Sequence, residues 1–424
     1  MQHRIDPEEL GPSGLGMTRA VQACVHCGFC LPACPTYGVL GQEMDSPRGR
    51  IVLMKEVLEG GLPWEAALPH IDRCLGCLAC EPACPSGVSY RELVGPFRER
   101  AETVRRRSWS DRLRRVLLME TLPYPRRFRL AAAAGIWVKR WRRLLPRDVR
   151  PLLDLLPDRL PRAERWPQRI SAEGETRARV GLLPGCAQSV LEPGIQRATI
   201  EILRRNGVEL WIPAKAGCCG ALAWHSGDGR RARAAARVQL EAYPGELDAV
   251  VTNAAGCGSA MREYGTLFLG QPEEKAAGEL AGRVRDICEF LDQLGPRPAP
   301  GFAKPVRVAY QDACHLAHAQ GVREAPRRLL RATPGVELVE LAEGHLCCGS
   351  AGTYNLEQPE IAAELGEYRA RTILDSGCEV AATGNIGCLT QMRYHLQRLG
   401  SRIRVLHTVE VLAAAARGKW PDGE

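Results

Sequence analysis

Long apolar runs are missing from this sequence of 424 residues. The most hydrophobic stretch, Leu130 to Val138, covers nine residues, whereas a membrane-spanning helix needs roughly twenty. The N-terminal residues MQHRIDPEELGPSGLG contain no apolar stretch after their charges and no small-residue cleavage site, so they do not resemble a signal peptide. We therefore expect a cytoplasmic chain whose thiols stay reduced.

A nucleotide-binding fingerprint is also missing. No Gly-x-Gly-x-x-Gly motif follows a predicted strand, so we expect no FAD or nicotinamide in this chain. The composition, with 45% hydrophobic and 25% charged residues, is that of a globular protein with two or three domains.

Cysteine is abundant, and 18 residues are far more than an average cytosolic chain carries. A chain of this length builds hydrophobic cores and does not need a disulfide scaffold, so the cysteines indicate metal ligation. Residues 24–35 and 74–85 both read Cys-x-x-Cys-x-x-Cys-x-x-x-Cys-Pro. Zinc, the alternative metal, is usually held by two Cys pairs and not by four cysteines with this terminal Pro.

This spacing predicts two 4Fe-4S clusters in a helical, bacterial-ferredoxin-like domain. Three closely spaced thiolates wrap one cluster, and the fourth cysteine, before Pro, is directed to the other cluster. The predicted ligands of cluster 1 are Cys24, Cys27, Cys30 and Cys84, and those of cluster 2 are Cys74, Cys77, Cys80 and Cys34. Between the motifs, Ser46 as the cap, Pro47 at the first position and Gly60 after the last turn predict one helix packed over the clusters.

Two later parts of the chain form an internal repeat. Each has an upstream Cys, a Cys-Cys-Gly motif and a downstream Cys, at offsets of 128, 129 and 131 residues. Short β-branched runs alternate with helical stretches, which predicts two pseudo-symmetric α/β lobes with cysteines at strand ends or helix starts. The cysteines are Cys186, Cys218, Cys219 and Cys257 in the first lobe, and Cys314, Cys347, Cys348 and Cys388 in the second.

The number of ligands alone does not decide what these eight cysteines bind. Each set of four could hold a further cluster, a zinc ion or no metal. The nearby His225, His315, His318 and His345 could ligate a metal or steady a thiolate, or could be loop histidines bonded to the backbone. Cys288 and Cys378 fall outside the repeat and are expected to be buried structural residues.

The predicted architecture is a multidomain α+β and α/β protein. Its parts are a ferredoxin-like domain at 1–97, an Arg-rich helical connector at 98–176, a first lobe at 177–298 and a second lobe at 305–424. The Pro- and Gly-rich stretch from Gly295 to Pro305 is the predicted linker between the lobes.

The connector carries most of the positive charge. From Arg98 to Arg150 the sequence has 16 Arg and one Lys against five acidic residues. Apolar and basic side chains recur together at helical spacing, which favours an anionic membrane surface or a partner subunit. A solvated helix face is the plain alternative, and nucleic acid is not expected because no recognition module accompanies the arginines. The residues are Trp137, Trp141, Leu144, Leu145, Lys139, Arg140, Arg142, Arg143 and Arg147.

The repeated lobes resemble the CCG domain of heterodisulfide reductase and related respiratory subunits. That family's motif ends Cys-x-x-Cys, whereas Ala260 and Gln391 stand at the final positions here. The departure argues against the five-Cys noncubane cluster of the reductases and against their thiol-disulfide chemistry.

Almost the whole chain resembles the iron-sulfur subunit of bacterial glycolate oxidase. The segments that carry the resemblance are QACVHCGFCLPACPTY, RCLGCLACEPACP, CHLAHAQ and CCGSAGTYN. It implies that a separate FAD subunit oxidises glycolate to glyoxylate and that this chain passes electrons towards the respiratory chain, to a quinone-linked acceptor. It also implies a peripheral position on the cytoplasmic face of the inner membrane.

Three alternatives remain. Because the substrate binds the flavoprotein, the chain could serve a lactate or glycerol-3-phosphate dehydrogenase. The lobes could instead catalyse heterodisulfide-reductase-like thiol chemistry, or the chain could be an iron-sulfur sensor that binds nucleic acid.

Overall fold

The computed structural model describes residues 1–144 and 153–420. The N-terminal part is helical, and its apolar core lies between the first and last helices, where Met17 and Val21 pack with Leu93 and Phe97. Its α-helices are Gly14–Ala23, Pro35–Leu40, Pro47–Leu58, Trp64–Asp72 and Tyr90–Val104, and Gly11–Ser13 and Glu43–Asp45 are 3-10 turns.

The predicted helix between the two cysteine motifs is confirmed as Pro47–Leu58. The Ser46 side chain caps its start by accepting a hydrogen bond from the Gly49 N–H at 2.9 Å. Gly60, just beyond its end, has a left-handed φ of 73°.

The connector continues the helical part of the chain. Helix Tyr90–Val104 runs across residue 97, and the helices Trp109–Thr121 and Pro125–Val138 and the 3-10 segment Lys139–Leu144 follow it. Leu145 and Arg147 lie outside the described residues. Over the parts of the chain that the model describes, we find no helix with both the length and the apolar character needed to cross a bilayer.

The first lobe is built on a five-stranded sheet in the order β1-β3-β2-β4-β5. Strand β1 pairs antiparallel with β3, and the other pairs are parallel. The strands are β1 Arg169–Ile170, β2 Ala178–Leu182, β3 Val208–Trp211, β4 Ala249–Thr252 and β5 Val284–Asp286. The helices are Ala187–Leu191, Pro193–Arg205, Ala221–His225, Gly229–Ala242, Ala255–Arg262, Tyr264–Leu267, Glu274–Arg283 and Ile287–Leu294.

The second lobe repeats this arrangement with a parallel four-stranded sheet in the order β7-β6-β8-β9. The order matches β3-β2-β4-β5 of the first lobe. The strands are β6 Val306–Gln311, β7 Val336–Glu340, β8 Val380–Thr383 and β9 Arg404–His407. The α-helices are Glu324–Arg331, Tyr354–Glu357, Pro359–Asp375, Ile386–Arg398 and Thr408–Arg417, with a π-helical turn at His315–Ala319.

The lobes pack against each other in a pseudo-symmetric way. Helix Pro193–Arg205 of the first lobe contacts the last helix of the second lobe, Thr408–Arg417. The last helix of the first lobe, Ile287–Leu294, contacts Glu324–Arg331, the first α-helix of the second. One apolar core is continuous across this interface, so the predicted fold class of a helical N-terminal domain followed by two α/β lobes is confirmed.

Candidate functional site

Two cavities in the N-terminal domain are lined by cysteines. The first cavity contains Cys24, Cys27, Cys30 and Cys84, and the second contains Cys34, Cys74 and Cys77. Cys80, Pro47 and Tyr90 line both cavities. Each cavity therefore presents the four thiols that the spacing predicts for one cluster, and the two cavities adjoin.

Both cavities are lined by thiols, the usual ligands of 4Fe-4S clusters. Across the ranges 1–144 and 153–420, no three Cys, His, Asp or Glu side chains have the geometry of a single-ion site. The thiolates of a cubane each bind a different iron and therefore lie further apart than the ligands of one zinc ion. The thiols that line each cavity are the ligand type that a cubane requires.

The two cysteine loops are conformational copies of each other. The second residue after the first cysteine is left-handed in both loops, with φ of 60° at His26 and 64° at Gly76. The fourth residue is also left-handed, with φ of 86° at Gly28 and 59° at Leu78. This conformation is costly for His and Leu, so the surrounding structure holds both loops in a shape that wraps three cysteines around one space.

A buried cation that was not predicted from the sequence lies beside the second cavity. Arg50 is 1% exposed and donates to the Cys34 Sγ at 3.7 Å. It pairs with the fully buried Asp45 at 3.5 Å, and that carboxylate also contacts Arg73 and His70 at 3.1 Å each. The signal in the sequence was an arginine on the inner face of the predicted helix. Its charge favours anionic sulfur in this cavity.

The Cys74 thiol has the most favourable surroundings of the second set. Burial raises its pKa, but the guanidinium groups of Arg50 and Arg98, the Gly76 N–H and the Tyr90 hydroxyl outweigh this effect and lower the pKa overall. The pKa values of Cys77 and Cys80 are raised, first by burial and then by neighbouring thiols. Without a metal the remaining thiols therefore repel each other when ionised, and bound iron would relieve this repulsion.

The lobe cysteines lie at the carboxyl ends of the strands, as predicted. In the first lobe a chain of thiol contacts runs from Cys186 through Cys218 and Cys219 to Cys257. In the second lobe the equivalent chain links Cys314, Cys347, Cys348 and Cys388. Each lobe thus gathers its four predicted cysteines into one group, which we call the first and the second quartet.

The backbone conformation and a close contact explain why each Cys-Cys-Gly motif ends in glycine. Gly220 and Gly349 both have φ of 84°. A Cβ atom there would lie 3.0 Å from the Ala232 carbonyl oxygen in the first lobe and 2.8 Å from the Ala362 carbonyl oxygen in the second. Only glycine allows both the turn and the close approach of the helix behind it.

Other predicted residues near the quartets have protein partners. The ring Nε2 of His315 bonds to the Gly76 carbonyl at 3.0 Å, and that of His318 bonds to the His345 carbonyl at 2.9 Å. For these two rings the backbone-bonded alternative is confirmed. At the family's fifth position in the second lobe, buried Gln391 donates to a helix carbonyl. Cys288 and Cys378 are buried, as expected.

The second quartet abuts the second cavity of the N-terminal domain. Cys77 interacts electrostatically with Cys314, and Leu75 shares a buried apolar cluster with Cys347 and Tyr354. The Tyr354 hydroxyl donates to the Arg73 carbonyl at 2.8 Å. These contacts place the second quartet next to the second cavity.

The connector exposes apolar side chains beside arginines. On helix Trp109–Thr121 the exposed residues Trp109, Leu113, Val116 and Leu117 recur at helical spacing. Trp137 and Trp141, part of the predicted docking set, are also exposed and lie edge to face at 4.5 Å. The first of these two faces was not predicted, although the helical spacing of its apolar residues is visible in the sequence.

Comparisons with known proteins agree with this division of the chain. Residues 20–88 match the model of a 4Fe-4S dicluster domain. Residues 180–262 and 308–393 each match the model of a cysteine-rich domain called CCG. The first match contains both N-terminal cysteine motifs and the other two contain the quartets.

Relatives of similar length match almost the entire chain. The glycolate oxidase iron-sulfur subunit of Escherichia coli (strain K12) is 36% identical over 403 residues, which cover 93% of this chain and 94% of the relative. The probable glycolate oxidase iron-sulfur subunit of Bacillus subtilis (strain 168) is 33% identical over 418 residues, with the same coverage. Lactate utilization protein A of Oceanobacillus iheyensis is 31% identical over 242 residues but matches 57% of this chain. The chain therefore belongs to the family of glycolate oxidase iron-sulfur subunits.

Proposed function

We propose that this chain is the electron-transfer subunit of a glycolate oxidase complex, in which a separate FAD subunit oxidises glycolate to glyoxylate. The observation that carries the proposal is the pair of adjoining cavities, each of which contains the four thiols predicted for one cluster. Family membership supports the role of an oxidoreductase subunit. The substrate is oxidised on the partner, and no residue of this chain is assigned a catalytic role.

The proposed ligands are those of the cross-ligated arrangement. Cys24, Cys27, Cys30 and Cys84 hold one 4Fe-4S cluster, and Cys74, Cys77, Cys80 and Cys34 hold the other. When bound, such clusters supply sequential one-electron transfer. The chain's own residues fix the loops, line the second cavity with the buried Leu75 and Leu78, and place Arg50 where it offsets negative charge.

The FAD subunit is proposed to dock where the first cavity meets solvent. Cys27 is exposed, and the apolar Val25 and Phe29 beside it in the loop are 64% and 67% exposed. Apolar side chains around an exposed thiol suit a protein partner that must bring its flavin close.

The respiratory-chain acceptor is proposed to be quinone-linked, with the protein bound peripherally to the cytoplasmic face of the inner membrane. The exposed tryptophans of the connector and its exposed arginines, such as Arg112 and Arg140, support contact with an anionic lipid surface. Co-sedimentation with vesicles that contain anionic lipid tests this contact. If the protein stays in the supernatant at low salt, the membrane contact is wrong.

The quartets are proposed to offer a further site for a cluster. Zinc and a metal-free thiol site are the alternatives for the same residues. Metal analysis of the anaerobically purified protein separates these three cases.

The test of the function is co-purification from the native host, followed by dye reduction with glycolate, D-lactate and glycerol 3-phosphate. We expect a flavoprotein partner and activity with glycolate. Activity with lactate alone would favour the alternative suggested by the partial match to lactate utilization protein A. If no flavoprotein co-purifies, the proposal fails for all three substrates.

The variant Cys80→Ser tests the electron path inside the complex. It should abolish electron flow to the acceptor while substrate still reduces the flavin. Cys378→Ser, which changes a buried cysteine outside both cavities and both quartets, is the matched control and should leave electron flow intact. Loss of flavin reduction in a correctly assembled Cys80→Ser complex would contradict the proposed path.

A further inference from the structure

Equivalent carbonyl groups of the two N-terminal cysteine loops are held by different parts of the molecule. In the first loop the His26 carbonyl accepts a hydrogen bond from Arg48 Nη1 at 3.0 Å. In the second loop the Gly76 carbonyl accepts one from His315 Nε2, also at 3.0 Å. Arg48 lies on helix Pro47–Leu58 of the same domain, whereas His315 lies in the second lobe. The first loop is therefore held from within the N-terminal domain and the second from outside it.

The held carbonyl groups lie where the loops depart most from ordinary backbone. His26 and Gly76 are both the second residue after the first cysteine, and both have a left-handed φ. Left-handed backbone is unfavourable for residues with a side chain, and Leu78, two residues beyond Gly76, also adopts it with φ of 59°. Such a conformation persists only where surrounding contacts hold it. The hydrogen bonds to His26 and Gly76 are contacts of this kind.

The direction of one peptide group links His315 to a proposed ligand. The carbonyl of Gly76 belongs to the peptide bond that carries the N–H of Cys77. Because this bond is planar and trans, its C=O and N–H groups point in opposite directions. A hydrogen bond that fixes the Gly76 carbonyl therefore also fixes the N–H of Cys77. Hydrogen bonding around a cluster and the orientation of its ligands tune its reduction potential.

The place of His315 in the repeat agrees with this role. His315 directly follows Cys314, whereas Ala187 follows the equivalent cysteine of the first lobe. Cys314 and Cys77 pack in the same apolar cluster, so the histidine occurs in the lobe whose quartet abuts the second loop. The same lobe holds this loop at another point, where the Tyr354 hydroxyl donates to the Arg73 carbonyl at 2.8 Å.

The first lobe fixes the direction of the His315 ring. The His225 ring lies edge to face against it, with the ring centroids 4.8 Å apart. The backbone at Gly256 lies on the Nδ1 side, where an added Cβ atom would be 3.8 Å from the ring nitrogen. Arg98 connects the same two parts, since it donates to the His225 carbonyl at 3.0 Å and to the Cys74 carbonyl at 2.5 Å. The ring of His315 is thus oriented by contacts other than the loop that it binds.

We propose that His315 is a positioning residue for the second cluster. Its Nε2–H, oriented by contacts from both lobes, fixes the Gly76 carbonyl and with it the shape of the second cysteine loop. Arg48 has the equivalent role for the first loop. This inference rests on the proposed function, because it takes the second cavity to hold a cluster. The lobes thus set the geometry of the second cluster, and the N-terminal domain alone sets that of the first.

The two loops supply matched variants. His315→Leu removes the donor from the second loop, and Arg48→Met removes the donor from the first. His315→Gln keeps an amide N–H that can donate to the same carbonyl. Each full-length protein is purified anaerobically, and its iron and acid-labile sulfide are measured. A redox titration followed by electron paramagnetic resonance then observes the two clusters separately.

We expect His315→Leu to lose or shift the signal of the second cluster while the signal and potential of the first stay unchanged. Arg48→Met should have the reverse effect. His315→Gln should restore the second cluster, which a role for His315 in packing alone would not produce. Because the first cluster reports whether the protein has folded, equal changes in both clusters of His315→Leu would overturn the inference. No change in that variant, or a His315→Gln protein that matches it, would also overturn the inference. The proposed function fails separately, if the unaltered protein contains no iron and sulfide.

Discussion

The charge of Arg50 provides the sharpest test of the electrostatics around the second cavity. Replacing it with glutamine removes a buried positive charge beside the proposed ligand Cys34 while keeping a polar side chain of similar length. Removing a cation makes it harder to add an electron nearby, because the reduced centre is the more negative form. The reduction potential of the cluster held by Cys34, Cys74, Cys77 and Cys80 should therefore fall.

The distance between Arg50 and Cys34 sets the size of the expected decrease in reduction potential. Arg50 Nη1 lies 3.7 Å from the Cys34 Sγ, and unit charges this close interact by about 4 kcal/mol at an effective dielectric constant of about 20. Both charges are delocalised, so we take roughly half of this value, about 2 kcal/mol. For one electron, about 59 mV corresponds to about 1.4 kcal/mol, which gives a decrease on the order of 100 mV.

The assay is a redox titration followed by electron paramagnetic resonance, which observes the two proposed clusters separately. Arg50→Gln should shift the signal of the second cluster and move that of the first much less. Arg19→Gln, which changes an exposed arginine of the same domain, is the control and should shift neither. If an intact second cluster keeps its potential in Arg50→Gln, Arg50 does not face it and the reasoning is refuted.

Three further predictions concern stability. Burial lowers the pKa of His407 to about 4, so the unfolded chain binds a proton more tightly than the folded protein does. The free energy of unfolding therefore falls as the pH drops below about 6.5, by about 2 kcal/mol at about pH 5. His407→Asn should flatten this pH dependence of the urea midpoint, and an unchanged slope would contradict the assignment. Gly227→Ala should destabilise the protein more than the control Gly400→Ala. Both glycines have positive φ, but only at Gly227 would a Cβ atom meet a carbonyl oxygen, at 2.6 Å. Equal urea midpoints for the two variants would exclude that clash. Tyr354→Phe should cost about 1 kcal/mol by removing the hydrogen bond to the Arg73 carbonyl, and an unchanged urea midpoint would show that this bond does not stabilise the interface.

The cysteine loops, the helix between them and the two lobes could be predicted from the sequence, because each depends on residues that are close together along the chain. The spacing of eight cysteines indicates cluster loops because the ligands of one loop are neighbours along the chain. The cap at Ser46 and the glycine after the last turn set the bounds of helix Pro47–Leu58. The repeat predicts two similar lobes, since equivalent segments fold in equivalent ways.

The domain limits and the assignment of cysteines to clusters remain predictions. The boundary at residue 97 rested on composition, and helix Tyr90–Val104 crosses it. Composition changes gradually along a continuous helix, so it locates such a boundary poorly. The assignment of each cysteine to a cluster rests on spacing and on the cavities that the cysteines line, and it stays a proposal until the iron is measured.

Tertiary structure alone decided which distant residues meet. Arg50 shares the buried Asp45 carboxylate with His70 and Arg73, and Cys77 lies beside Cys314 far along the chain. Arg369 is one arginine among many in the sequence, yet it is fully buried behind the second quartet. Spacing along the chain fixes local geometry, whereas the burial of a charge and the identity of its partner depend on how whole helices and sheets pack, and that packing is set by the complete core.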